Sequence, residues 1–141
     1  MEDLDGLLEE ILANSYRQII SNEEKILKSL GDLGMKEFYT LDVIANTTKN
    51  KTNTSNNIAK VLGITAGTLT TNLDRLTEKG YVYKDKNSSD KRVVMVYLTP
   101  SGTALRKKRE TAHRKLISTA ISKLSNTEKV ALVSALNKLD Y

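Results

Sequence analysis

Residues 54–80 read TSNNIAKVLGITAGTLTTNLDRLTEKG, and their punctuation predicts two short helices meeting at a glycine turn. Thr54 supplies a capping hydroxyl for a helix carrying Ile58, Ala59, Val61 and Leu62, Gly63 supplies the left-handed residue that stops it, and Thr65 caps the next. The second helix buries Leu69, Leu73 and Leu76 at i, i+4 and i+7 and ends at Gly80. Directly after it, Tyr81 to Lys86 and Arg92 to Leu98 hold alternating or β-branched residues around the turn-forming Asn87, Ser88, Ser89 and Asp90, which predicts a hairpin. Such a helix pair can lay its second helix in a DNA major groove while the first braces it, and the hairpin is what a winged variant adds. A helix pair alone occurs in many all-α proteins; the hairpin favours the winged reading.

Outward from this segment the chain reads as helix. Leu4, Leu7, Leu8, Ile11, Leu12, Tyr16, Ile19 and Ile20 recur at three- and four-residue steps, and Ile26, Leu27 and Leu30 continue the run to Gly31. A shorter helix is expected over Lys36 to Asn46, followed by a polar loop over 46–53. On the other side, Thr99 and Pro100 start a helix running to Leu124. Ser125 with Glu128 forms a capping box for a last helix reaching the C-terminus. The fold class is therefore mainly α, a winged helix-turn-helix with a two-stranded wing. Residues 1–141 are expected to form one domain, with 36–98 as its DNA-binding part and 1–31 and 99–141 as dimerisation helices.

Composition excludes more than it selects. With no Cys and one His in 141 residues, thiol chemistry is absent and a Ser-His triad or multi-imidazole zinc site lacks partners. An enzyme is not expected, nor a cofactor or metal. No apolar run approaches the roughly 20 residues of a membrane span. Glu2, Asp3 and Asp5 stand where a secretory signal needs basic residues, so a cytoplasmic location is expected.

Charge is uneven along the chain. Residues 1–31 carry a net −4, residues 54–98 a net +3 and residues 99–123 a net +6, within a total of +5. Basic middle segments suit a phosphate-bearing partner, although charge by itself fits ordinary solvated faces equally well. The run Arg106, Lys107, Lys108, Arg109 cannot share one contact face and is expected to be solvated.

The order of helices, Gly80-Tyr81, and the pattern D-x-R-x5-L-T-x2-G, complete from Asp90 through Arg92, Leu98 and Thr99 to Gly102, resemble the MarR family of winged helix-turn-helix transcription factors. Within it, Met35 to Ile44, Gly67 to Thr71, Lys79-Gly80-Tyr81, Arg92-Val93-Val94 and the placement of His113 are similar to the fatty-acid synthesis repressors of low-GC Gram-positive bacteria. The resemblance implies a homodimeric repressor on a pseudo-palindromic double-stranded operator. The residues assigned to DNA are Thr54, Ser55, Thr65, Gly67, Thr68, Thr70, Thr71, Arg75, Lys91 and Arg92, with Asp90 supporting the wing. By residue chemistry, Thr methyls suit thymine methyls and Arg75 suits guanine or phosphate; exposed threonines are otherwise polar filler. By resemblance, Arg92 enters the minor groove.

The subgroup resemblance also implies an effector, acyl carrier protein bearing a long acyl chain. The apolar residues Leu8, Leu12, Ile19, Ile20, Leu116 and Ile117 suit an acyl chain or simply a dimer core, and the bases of the fifth helix suit an acidic carrier or simply water. Alternatives are a regulator answering another hydrophobic small molecule and a winged-helix protein-interaction module that never binds DNA. A lone His113 is a poor basis for a zinc sensor.

Overall fold

A computed structural model describes residues 3–85 and 92–140. Its elements are α1 (Leu4–Leu30), α2 (Met35–Lys49), α3 (Ser55–Leu62), α4 (Ala66–Glu78), β1 (Val82–Asp85), β2 (Met95–Leu98), α5 (Pro100–Ile121) and α6 (Asn126–Leu136). The chain divides into two compact units, Met1–Arg109 and Glu110–Tyr141. The mainly helical class with a two-stranded wing is as the sequence predicts.

In the first unit, apolar side chains at helical spacing converge from several elements. Phe38, Leu41 and Ile44 of α2, Ile58 of α3, Leu69, Leu73 and Leu76 of α4, Val82 of β1 and Val96 of β2 are all fully buried. Each such side chain contributes roughly 1.5–3 kcal/mol on burial. β1 and β2 are antiparallel, with Val82 opposite Leu98, Tyr83 opposite Tyr97, Lys84 opposite Val96 and Asp85 opposite Met95. The period-2 alternation turns Val82 and Val96 to the core and stacks the Tyr83 and Tyr97 rings 5.3 Å apart.

Helix ends follow the capping residues. Thr54 accepts from the Asn57 amide at 3.2 Å and Thr65 from the Thr68 amide at 3.1 Å. Gly63, at φ 69°, ends α3 in the left-handed region. Thr99 accepts from the Gly102 amide at 3.1 Å and donates to the Gly80 carbonyl at 2.6 Å, so one hydroxyl caps α5 and ties it to the end of α4.

α2 extends three residues beyond the expected end at Asn46. The Thr47 hydroxyl donates to the Val43 carbonyl at 2.7 Å and the Thr48 hydroxyl to Ile44 at 2.6 Å, absorbing inside the helix the polar groups that suggested a loop. α5 and α6 end short of the expected Leu124 and C-terminus, at Ile121 and Leu136.

The solvated reading of the basic run holds for Lys107 and Lys108, which are exposed, and fails for its two arginines. Arg106 Nε lies 2.8 Å from Asp42 Oδ1, and Arg109 reaches Asp42 Oδ2 at 3.1 Å and Glu23 Oε1 at 2.9 Å. Arg109 also covers the Phe38 ring at 5.5 Å. These arginines bind α5 to α1 and α2, and they are structural.

The N-terminal half of α1 buries nothing in this unit: Leu4 is 66% exposed, Leu8 55% and Tyr16 66%. In the second unit, α6 starts at the expected capping box, with Ser125 and Glu128 each accepting the other's amide. No residue of α6 is buried, and Val130, Val133 and Leu136 stand open to solvent.

Candidate nucleic-acid interface

The start of α3 is placed by the wing. The Ser55 amide donates to the Val94 carbonyl at 2.8 Å, the Val96 amide to the Asn53 carbonyl at 2.9 Å, and Thr54 bridges Met95. Asn53 is 2% exposed and its side-chain amide donates to the Val96 carbonyl at 2.6 Å. The segment before α3 thus pairs with the start of β2 through one isolated antiparallel bridge, which holds the helix pair and the wing in one frame.

A cleft of about 320 Å³ opens at this junction, lined by Thr54, Ser55, Asn56, Ala66, Thr70, Arg92, Val93 and Val94. Four assigned residues, Thr54, Ser55, Thr70 and Arg92, therefore meet in one concavity. The other assigned α4 residues do not line it. Thr65, Gly67, Thr68, Thr71 and Arg75 lie exposed along α4 and its cap, opposite the buried Leu69, Leu73 and Leu76. Asp90 and Lys91 lie outside the described residues.

Three threonine hydroxyls of α4 and its cap are already committed as donors. Thr70 donates to the Ala66 carbonyl at 2.9 Å, Thr71 to Gly67 at 3.2 Å, and Thr65 to the Thr68 hydroxyl at 2.9 Å. Thr70 and Thr71 thus retain oxygen lone pairs and methyl groups for an external partner. No Cβ-sized obstacle lies within 4 Å of Gly67, so this part of α4 is open.

Behind this face, α4 is braced by charge. Lys79 Nζ lies 3.1 Å from Asp32 and 3.5 Å from Glu37, and Lys84 lies 3.3 Å from Asp74. The hydrogen bond to Asp32, helped by the field of Glu37, raises the Lys79 ammonium pKa above its ordinary value.

The sequence reading missed Asn53 and Asn56. A composition rich in Asn, Thr and Lys carried no signal that one Asn is buried against β2 while another lines the cleft. It read Thr99 as the start of α5 but gave Leu98 and Gly102 no local role. A Cβ at 102 would stand 2.2 Å from the Tyr81 carbonyl oxygen, so this half of the pattern seats α5 on the end of α4.

The model of the transcriptional regulator SarA/Rot family matches residues 23–109. A stretch of 48 residues is 48% identical to the multiple antibiotic resistance protein MarR of Salmonella typhimurium, covering 34% of this chain and 33% of that protein. The chain thus spans about a third of the length of the curated relative it matches. FabT of Streptococcus pneumoniae, solved in complex with DNA, is similar at TM-score 0.72 and 28% identity, over 94% of this chain and 92% of that one. A mutant MepR of S. aureus bound to an oligodeoxyribonucleotide is similar at TM-score 0.73 and 25% identity, over 97% of this chain and 96% of that one. With the family model spanning the frame of α2, the helix pair, the wing and the start of α5, the chain belongs to the SarA/Rot family of transcriptional regulators, on the winged-helix architecture of MarR-type proteins.

Proposed function

We propose that the protein is a cytoplasmic, homodimeric transcriptional repressor that reads a pseudo-palindromic DNA operator. The observation that carries this is the meeting of Thr54, Ser55, Thr70 and Arg92 in one cleft beside the open face of α4. In this reading α4 enters the major groove with Gly67, Thr68, Thr71 and Arg75, while Thr54, Ser55, Thr65 and Thr70 meet the backbone. Arg92, with Lys91 and Asp90 beside it in sequence, belongs to the minor groove. DNA bound to the similar FabT and MepR supports the same use here.

Dimerisation is assigned to 1–31 and 99–141, with 36–98 as the DNA-binding part. The support is the unburied apolar series Leu4, Leu8, Ile11 on α1 and, separately, Val130, Val133, Leu136 on α6, since runs of exposed apolar residues mark interaction surfaces. Two recognition helices would then address half-sites roughly 34–36 Å apart. Selecting bound duplexes from a random pool tests the reading. A two-fold related consensus bound by a dimer is expected, and weak binding to every duplex, insensitive to salt, overturns it in favour of a protein-interaction module.

The finer reading, control of fatty-acid synthesis genes by acyl carrier protein with a long acyl chain, rests on the subgroup resemblance and the FabT likeness. Ion pairing of Arg106 and Arg109 leaves Lys107 and Lys108 as the exposed bases of that run for an acidic carrier. Titrating acylated and unacylated carrier into the protein–operator complex tests it. No change with either leaves another hydrophobic molecule as the effector.

A further inference from the structure

The turn between α2 and α3 holds Lys51 at φ 59°, the one non-glycine residue with positive φ among the described residues. The Thr52 amide donates to the Thr47 carbonyl at 2.8 Å and the Lys51 amide to Thr48 at 3.1 Å. This is the helix-ending pair of hydrogen bonds that ordinarily places glycine, or else asparagine, at the left-handed position. Asn50 stands one residue too early, and the position is filled by a long cation whose Cβ disfavours the conformation.

The bases around the DNA-binding elements fall into two sets. Lys79, Lys84, Arg106 and Arg109 are held by Asp32 and Glu37, Asp74, Asp42, and Glu23 with Asp42. Lys49 and Lys51, like Lys60 of α3 and Arg75 of α4, are exposed and make no ion pair among the described residues. The turn of Lys49 and Lys51 is also fixed relative to the cleft. The Asn57 side-chain amide donates to the Thr52 carbonyl at 2.8 Å, and Asn53 is locked to Val96 by hydrogen bonds of 2.6 and 2.9 Å. Lys51 lies three residues before Thr54 on the cleft wall, a span of at most about 10 Å of extended chain.

We propose that Lys51, with Lys49 beside it, is a further phosphate-binding element that grips the sugar-phosphate backbone flanking the bases faced by α4. Strained backbone kept beside a site is where a side chain is needed in one direction. The partner chemistry is a nucleic-acid phosphodiester, met by two cations that lack competing carboxylates. The inference rests on the DNA-binding reading and adds a contact outside the helix pair and the wing.

The decisive variant is Lys51→Gly, because strain and contact push its two readouts in opposite directions. The full-length variant is expected to melt at a higher temperature than wild type, since glycine adopts the left-handed region freely. It is expected to bind the selected duplex about three- to tenfold more weakly at moderate salt, with the slope of log affinity against log salt shallower by about one per protomer. Base preference stays the same. Lys51→Asn is expected to reproduce the loss, and Lys49→Gln to give a smaller one. A more stable Lys51→Gly with unchanged affinity and slope overturns the proposal, as does a shift in base preference. Wild-type protein that binds no duplex at low salt overturns the DNA-binding reading itself, a different result.

Discussion

Arg109 and Glu23 form a 2.9 Å ion pair in which the carboxylate side chain is 5% exposed and the guanidinium side chain 26%. A carboxylate so far from water is costly to keep charged, and the guanidinium compensates it. Arg109→Ala is therefore expected to destabilise the fold by roughly 3 kcal/mol, at the low end of the range for a broken buried pair because Arg109 keeps some contact with water. Replacing Glu23 and Arg109 together by Met and Leu is expected to recover most of that loss. Urea unfolding of the three proteins checks both statements, and an unaltered midpoint for Arg109→Ala would show that the pair does not hold α5 to α1.

Gly102 sits in the first turn of α5, where a Gly→Ala change ordinarily stabilises a helix by up to about 1 kcal/mol. Here the sign reverses. The new Cβ would meet the Tyr81 carbonyl oxygen at 2.2 Å and its carbon at 3.1 Å, both backbone atoms with no rotamer to escape into. Gly102→Ala is expected to destabilise by about 1–3 kcal/mol. Gly67→Ala, with nothing within 4 Å, is expected to stabilise slightly and to weaken DNA binding by crowding the open face of α4. Thermal unfolding of the pair measures the contrast.

Local chemistry made much of this fold legible. Thr54, Thr65, Ser125 and Glu128 accept from amides three residues away, and Gly63 donates its own amide to carbonyls three and four residues back, so their capping roles can be read from spacing. Arg106 and Arg109 could not be sorted from Lys107 and Lys108 in the same way. Their carboxylate partners lie 64 to 86 residues away, and four consecutive helical residues point in four directions. The candidate site divides similarly. The outward face of α4 follows from the buried leucines, whereas the cleft uniting Thr54, Ser55, Thr70 and Arg92 depends on Asn53 pairing with Val96 across 43 residues. The ends of α2 and the role of Lys51 escaped because Thr47 and Thr48 bond back into the helix, which polar composition conceals.

The capping box of α6 carries a pH dependence. Glu128 accepts from the Ser125 amide at 2.9 Å, and this bond, followed by the one to the Ser125 side chain, holds its carboxyl below the ordinary glutamate value. A carboxyl whose folded pKa is lowered contributes stability above its unfolded value, and that contribution is lost as pH falls through the folded one. The helicity of the chain is expected to drop, as the pH falls below the ordinary glutamate value of 4.5, by an increment that Glu128→Ala lacks. Circular dichroism of both proteins over that range tests it, and parallel curves would show the box to be without effect in solution.

Base reading and backbone grip are separable by mutation. Because the Thr71 hydroxyl hydrogen is held by the Gly67 carbonyl at 3.2 Å, this side chain offers DNA a methyl group and an acceptor oxygen rather than a donor. Thr71→Val keeps the methyl and is expected to leave the preferred half-site sequence unchanged, whereas Thr71→Ser removes it and is expected to relax a preference for thymine. Arg75→Ala is expected to change preference at another position of the half-site. Arg92→Ala, at the base of the wing, is expected to weaken binding by about 1–3 kcal/mol while the melting temperature stays within a degree or two, because its side chain is exposed. Affinities against a library of single-base operator variants at fixed salt distinguish these outcomes. Equal loss on every duplex for Thr71→Ser and Arg75→Ala would move α4 from base reading to backbone contact. Arg92→Ala binding as tightly as wild type would take the wing out of the interface.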